Sequence, residues 1–300
     1  MNNYPHIDII KPNDTEVFTE QYLHKKPVLV KGYFKDSRAV KLWDEKYFLN
    51  LAGNTRVEVT KSKGNEYERT SMQLVDYLQW IITDQNRELA PESTLEKENY
   101  YLHNFHLETI RADLLNDLDF NLEVFIGKWY LENWKKSLSI FYGNKNIINP
   151  LHYDALGAHN TFLQVKGHKK FILIPKDQVA YCYTTIKNSN GSKVDLENLD
   201  YQKYPLFAKT TPFEANLEGG DILYVPPYTL HHVKGIDLNI SVKVDWHTTQ
   251  SVINAFFSGQ SFPQTKKFRF RYWNTIFFLG VCCGIPNSIL FPFFKSYYKT

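Results

Sequence analysis

The chain has 300 residues, 43% of them hydrophobic and 22% charged, with a formal net charge of +3. That apolar content excludes a disordered chain and can fill one large core or two modest ones. The small net charge, with signs interspersed, excludes a basic surface built for duplex nucleic acid; Cys182, Cys282 and Cys283, an odd set without Cys-x-x-Cys spacing, exclude a disulfide framework.

Helical spacing of apolar residues predicts helices over 15–24, capped by Asp14, and over 74–82, capped by Ser71. Strands are expected over 27–31 and 55–60, and another helix over 107–118. These segments read as an N-terminal α/β wall over residues 1–135, whose strands extend the sheets of the core that follows.

Asn149-Pro150 marks a turn, and His152-Tyr153-Asp154 follows directly. Side chains two apart on a strand share a face, so His152 and Asp154 can grip one ion together. Phe162-Leu163-Gln164-Val165 and Phe171-Ile172-Leu173-Ile174 are strand-like runs hinged on Gly167. A further strand-like run, Gly220-Asp221-Ile222-Leu223-Tyr224-Val225-Pro226, leads to His231-His232. Adjacent strand residues face opposite sides, so one of these two histidines reaches the ion and the other bonds its neighbours. Two imidazoles and a carboxylate on one face of an octahedral ion leave room for a co-substrate and dioxygen, the arrangement of non-haem Fe(II) oxygenases. In Ile240-Ser241-Val242-Lys243-Val244-Asp245-Trp246, polar residues alternate with apolar ones, placing Ser241, Lys243 and Asp245 on one face. That face either lines a barrel or is outward and wet; the inward reading is favoured, because a small barrel with a ligand inside carries polar inward residues.

Four ordered blocks carry a resemblance. They are His152-Tyr153-Asp154; Leu163-Gln164-Val165-Lys166-Gly167-His168-Lys169; Val194-Asp195 with Asp200-Tyr201 and Pro205; and the run from Gly220 to Pro226 with His231. Together they resemble the cupin-like JmjC hydroxylases, the group containing the asparaginyl hydroxylase that inhibits hypoxia-inducible factor. The resemblance implies a mostly β fold with flanking helices: a double-stranded β-helix (cupin or jelly-roll) core over 136–250, an N-terminal α/β extension and a hydrophobic C-terminal segment over 251–300. It implies Fe(II) held by His152, Asp154 and His231, with His232 spare, and 2-oxoglutarate as co-substrate with its far carboxylate on Lys169 and Tyr101. Asn160 matches a pocket-lining asparagine. Asn149 stands where Thr or Ser is common, and its amide can also donate to the co-substrate; Lys243 stands where the asparaginyl hydroxylase has an asparagine facing the site. The implied reaction is a dioxygenase hydroxylation, with O2 and 2-oxoglutarate, of a C–H bond in a protein side chain or a membrane-linked glycolipid such as the Kdo sugar of lipopolysaccharide. The alternative is a non-catalytic cupin-like module that binds a metal or ligand.

Residues 273–294 form 22 positions without a charge, flanked by Lys266-Lys267-Phe268-Arg269-Phe270-Arg271 and Lys295. That is about the roughly 20 residues a bilayer span needs, with Tyr272-Trp273 and Tyr297-Tyr298 as an aromatic belt. Pro286 and Pro292 interrupt it, so a span, an interfacial anchor over 266–298 and a helix pair buried in a homodimer all fit. No apolar leader accompanies Pro5, Asp8 and Lys11, so a cytoplasmic protein associated with the membrane through its tail is expected.

Overall fold

Two facing β-sheets satisfy the alternation of the later strands. A computed structural model describes residues 4–52, 54–63, 66–87, 99–184, 190–257, 267–295 and 297. The strands in chain order are β1 (Ile9–Ile10), β2 (Val28–Val30), β3 (Arg56–Lys63), β4 (Glu66–Gln73), β5 (Asn99–His106), β6 (Leu138–Gly143) and β7 (Ile148–His152). They continue with β8 (His159–Lys166), β9 (Lys169–Ile174), β10 (Phe213–Leu217), β11 (Ile222–Val225), β12 (Leu230–Gly235) and β13 (Asn239–Trp246). The larger sheet has nine strands in the order β1-β2-β11-β8-β13-β6-β5-β3-β4, and the smaller has four in the order β10-β9-β12-β7. From β6 to β13 successive strands alternate between the sheets, except that β9 and β10 pair within the smaller one, the winding of a double-stranded β-helix. The N-terminal strands extend the larger sheet at both edges.

One apolar cluster fills the space between the sheets: Leu29, Phe162, Leu223 and Val225 from the larger meet Phe171, Leu173, Ala215, Leu217 and Val233 from the smaller. The opposite face of the larger sheet, including Leu163, Tyr224, Val242 and Val244, packs with Phe18, Trp43 and Tyr77 in a second cluster. Since Val242 and Val244 face the helices, Ser241, Lys243 and Asp245 turn into the barrel, the inward alternative. Gly167 closes the β8–β9 hairpin at φ 66°, where a Cβ would lie 1.9 Å from the Leu238 carbonyl oxygen.

The helices are α1 (Thr15–Val17), which continues as a π turn over Phe18–Tyr22, then α2 (Arg38–Leu42), α3 (Glu45–Ala52), α4 (Leu74–Arg87) and α5 (Leu107–Ile110). After the barrel come α6 (Thr249–Phe257), α7 (Lys267–Phe277) and α8 (Asn287–Phe294). Three local expectations are corrected. Asp14 precedes α1 but makes no cap bond; its carboxylate accepts from the Lys11 amide at 2.9 Å. Ser71 lies within β4 and accepts from Arg56 Nε at 3.3 Å, so α4 starts straight from the strand. The helix expected over 107–118 breaks at Arg111, which is extended at φ −168° and ψ 128°, and resumes as a 3₁₀ helix over Ala112–Asp117. Tertiary bonds replace the helical ones at the break: the Ile110 carbonyl accepts from Thr55, and Arg111 donates to the Leu51 carbonyl.

A single bilayer span over 273–294 is not formed. After α7 a π turn over Phe278–Cys282 leads to Gly284 at φ 77°, and α8 folds back. Trp273, Ile276 and Phe277 pack on Leu290 and Phe294, and all join Leu156 and Val252 of the core. Among the described residues no helix is long and apolar enough to cross a membrane. Lys266 and Tyr298, two of the flanking residues expected to meet lipid, lie outside the described residues.

Candidate metal and co-substrate site

His152 ends β7, and His231, near the start of β12, is its direct partner across the antiparallel ladder. The pairing sets the two rings 4.3 Å apart, centroid to centroid. Asp154 follows His152 by two, and one ligand atom from each of His152, Asp154 and His231 lies within 4.8 Å of the others. His231 Nε2 is 3.6 Å from Asp154 Oδ2.

Each imidazole is oriented by its own strand. His152 Nδ1 lies 2.7 Å from the Pro150 carbonyl oxygen and His231 Nδ1 lies 3.2 Å from that of Thr229. A carbonyl only accepts, so Nδ1 carries the proton in both rings and Nε2 keeps its lone pair for a metal. Burial pulls His152 below its ordinary pKa, and burial with the nearby His152 takes His231 down to about 3. Both rings are therefore neutral near neutral pH, the form that ligates. Burial alone would push Asp154 up, yet the Lys243 ammonium and the two histidines hold it well below the usual carboxylate range. Two neutral imidazoles and an ionised carboxylate with convergent lone pairs fit Fe(II).

Around this set, Asn160 donates to Asp154 Oδ2 at 2.6 Å, and Lys243 Nζ lies 3.3 Å from Asp154 Oδ1 and 3.0 Å from Asp245 Oδ1. His232 points to the other side of β12, with Nε2 3.6 Å from Glu197 Oε1, as the adjacent-histidine argument expects.

A cavity of about 220 Å³ is lined by the triad and by Lys169 and Tyr101. Lys169, first residue of β9, is buried and donates to Ser241 Oγ at 2.6 Å and to Tyr101 Oη at 3.4 Å. Burial brings its pKa down to about 7 and pushes Tyr101 up. Tyr101 is pinned by Gly143, where a Cβ would lie 2.7 Å from the Tyr101 ring. Phe141, Phe162 and Phe171 wall the cavity, and Asn149 lines it beside His103, Nδ2 to Nε2 3.3 Å. Asn160 behaves differently from the sequence expectation: buried and bonded to Asp154, it is not among the lining residues described.

Sequence reasoning put Ser241 on the inward face without naming a partner and assigned no role to His103, Asn104 or Arg69, all close to the triad or Lys169. His103 had a signal, since it follows Tyr101 by two. The ladder of β5 with β6 is irregular between Leu102 and Phe105, and Asn104 takes φ 53° there. Such a bulge re-aims side chains, here His103 and Asn104 toward the cavity. Arg69 comes from β4, a neighbour that only the sheet order reveals.

The model of the family described as "Cupin-like domain" matches residues 14–252. "Lysine-specific demethylase JMJ30" of Arabidopsis thaliana is 28% identical over 231 residues, 76% of this chain and 51% of that protein. "JmjC domain-containing protein D" of Dictyostelium discoideum is 26% identical over 255 residues, 78% of this chain and 54% of that protein. "tRNA wybutosine-synthesizing protein 5" of Homo sapiens is 25% identical over 236 residues, 75% of this chain and 72% of that protein. The chain spans about half the length of the first two of these relatives.

Proposed function

The chain belongs to the cupin-like domain family in its JmjC-type branch, and from that premise we propose that it is an Fe(II)- and 2-oxoglutarate-dependent dioxygenase that hydroxylates a C–H bond of a protein side chain. The observation that carries this reading is one cavity lined by His152, Asp154 and His231 and by buried Lys169 and Tyr101, with Ser241 bonded to Lys169.

When bound, Fe(II) supplies the O2 chemistry that side chains lack; one O2 and one 2-oxoglutarate yield succinate, CO2 and the hydroxylated product. The chain's own residues position. Lys169 offers a cation, and Tyr101 and Ser241 offer hydroxyl donors, for the far carboxylate of 2-oxoglutarate. Asn149 and His103 line the same cavity and would offer polar groups to a bound co-substrate. The three phenylalanines exclude water, which strengthens these charge interactions. Asn160 and Lys243 hold the Asp154 carboxylate from two directions, fixing it toward the histidines.

A protein side chain is the favoured substrate class for two reasons. The relative named a lysine-specific demethylase acts, by that name, on lysine. An open groove of about 320 Å³ across β3, β4 and β5, lined by Arg56, Glu58, Thr60 and Arg69, runs into the metal cavity and suits an extended polypeptide. The glycolipid alternative drew on a tail able to enter a bilayer; that tail folds back onto the core and lends it no support.

Titrating 2-oxoglutarate into the anaerobic Fe(II) protein tests the reading: chelation produces a visible charge-transfer band, and air then releases succinate. His152→Ala is expected to lose both. Fe(II) binding with no band, and no succinate with any substrate, would favour a non-catalytic module instead.

A further inference from the structure

A second cavity, of about 180 Å³, opens beside the metal site and shares Asp154, Lys243, Asn104 and Asn190 with it. Its outer wall is Arg269, Phe270 and Trp273 of α7 together with Tyr297. All four lie beyond residue 252, where the family match ends.

The polar groups of the cavity fall into two sets. Lys243, Asp245 and Tyr297 satisfy one another: Lys243 Nζ is 3.0 Å from Asp245 Oδ1, and Tyr297 Oη donates to Asp245 Oδ2 at 3.5 Å. Arg269 and Trp273 lack such acceptors. The guanidinium stands over the Trp273 ring at 5.2 Å and, among the described residues, pairs with no carboxylate. Trp273 is only 2% exposed, yet among the described residues its indole Nε1–H has no hydrogen-bond partner. Guanidinium and indole only donate, so whatever fills this wall must accept. The charge count points the same way. With a divalent ion on Asp154, Lys243 balances Asp245 and the Arg269 charge stays unmatched. Across the mouth, Arg56 and Arg69 line the groove over β3 to β5.

We propose that the substrate is an acidic polypeptide and that a carboxylate close to the hydroxylated side chain docks on Arg269 and Trp273, the specificity-determining residues. One guanidinium with one indole N–H matches a single planar oxyanion, and arginine grips carboxylates in bidentate fashion. A nucleic acid would instead be held by many phosphate contacts with basic residues, and the oligouridylate arm of the test below decides between the two. This inference rests on the oxygenase reading.

Three labelled probes are titrated by fluorescence anisotropy into the anaerobic full chain loaded with Fe(II) and 2-oxoglutarate: a peptide alternating Asp and Gly, its Asn-for-Asp counterpart and an oligouridylate of matched charge. The Asp peptide is expected to bind about tenfold or more tightly than the Asn peptide, the worth of one charged hydrogen-bonded pair. Arg269→Gln is expected to erase that preference, and Trp273→Phe, which keeps a ring and removes the N–H, to weaken it severalfold. Unchanged preference in both variants, or tighter binding of the oligouridylate, overturns the proposal. The 2-oxoglutarate band read in the same samples separates the two claims. A band without charge preference overturns the carboxylate subsite alone, whereas no band overturns the oxygenase reading and this inference with it.

Discussion

Lys169 Nζ and Ser241 Oγ meet at 2.6 Å across the barrel, one from the first residue of β9 in the smaller sheet and the other from β13 in the larger. The bond is buried, and burial lowers the amine from an ordinary 10.5 to about 7. Tyr101, its titratable neighbour, stays neutral because burial pushes it upward. Below its unfolded pKa and above its folded one, Lys169 binds fewer protons folded than unfolded. Stability of the ligand-free chain therefore rises with pH between about 7 and 10.5 on this group's account. An anionic co-substrate favours the ammonium, so 2-oxoglutarate binding takes up a proton above pH of about 7 and weakens as pH rises. Calorimetry in buffers of different ionisation enthalpy reads the uptake; binding without proton exchange at mildly alkaline pH sinks the expectation.

Lys169→Ala removes the cation that bonds Ser241 and Tyr101 while leaving those two hydroxyls in place. We expect 2-oxoglutarate affinity to fall by about 100-fold, from the loss of a charged hydrogen bond worth up to about 3 kcal/mol. Fe(II) affinity should change little, and a competing chelator separates the two. Equal loss of both would mean that the variant has disturbed the barrel.

Asn160→Ala deletes the amide that holds Asp154 Oδ2 at 2.6 Å. Loss of an outer partner of a metal-binding carboxylate typically costs about 10- to 100-fold in metal affinity. Co(II) titration followed by visible absorption measures it. Unaltered Co(II) affinity would show that the bond to Lys243 orients Asp154 by itself.

Lys243→Met leaves the carboxylates of Asp154 and Asp245 buried without their shared cation. Removing one partner of a buried ion pair costs about 3 to 5 kcal/mol, so urea unfolding of the metal-free variant should shift by about that amount. Adding Fe(II) should recover part of the loss, because the ion supplies positive charge beside Asp154 and binds only the folded chain. A variant as stable as the parent without metal would refute this account of Lys243.

Gly143→Ala places a methyl group 2.7 Å from a Tyr101 ring carbon. The ring must move, at a cost of about 1 to 3 kcal/mol in stability. The expected result is a raised KM for 2-oxoglutarate with metal binding retained, measured by succinate release against co-substrate concentration.

Much of the barrel and of the metal set was legible in the residues because their signals are local. The spacing of His152 and Asp154, the Gly167 hairpin and the alternation from Ile240 to Trp246 each need only the geometry of one strand. Adjacent His231 and His232 on one strand must part to opposite faces, and they do. The helix over 107–118 failed because contacts from distant Thr55 and Leu51 outweigh its own propensity at Ile110 and Arg111.

Sequence by itself determined which side chains can share a face, because that follows from the repeat of a single strand. Only the tertiary structure decided what faces them. It set Lys169 against Ser241, gave Lys243 two carboxylates and turned Asn160 onto Asp154. It also brought Arg269 and Trp273 to the mouth of the site, from a tail whose uncharged run suited a bilayer equally well. The physical reason is that apolar composition fixes how much surface must leave water but not what will cover it. Here Leu156 and Val252 cover the tail, and Arg269 and Trp273 of that tail then line the cavity beside the metal site.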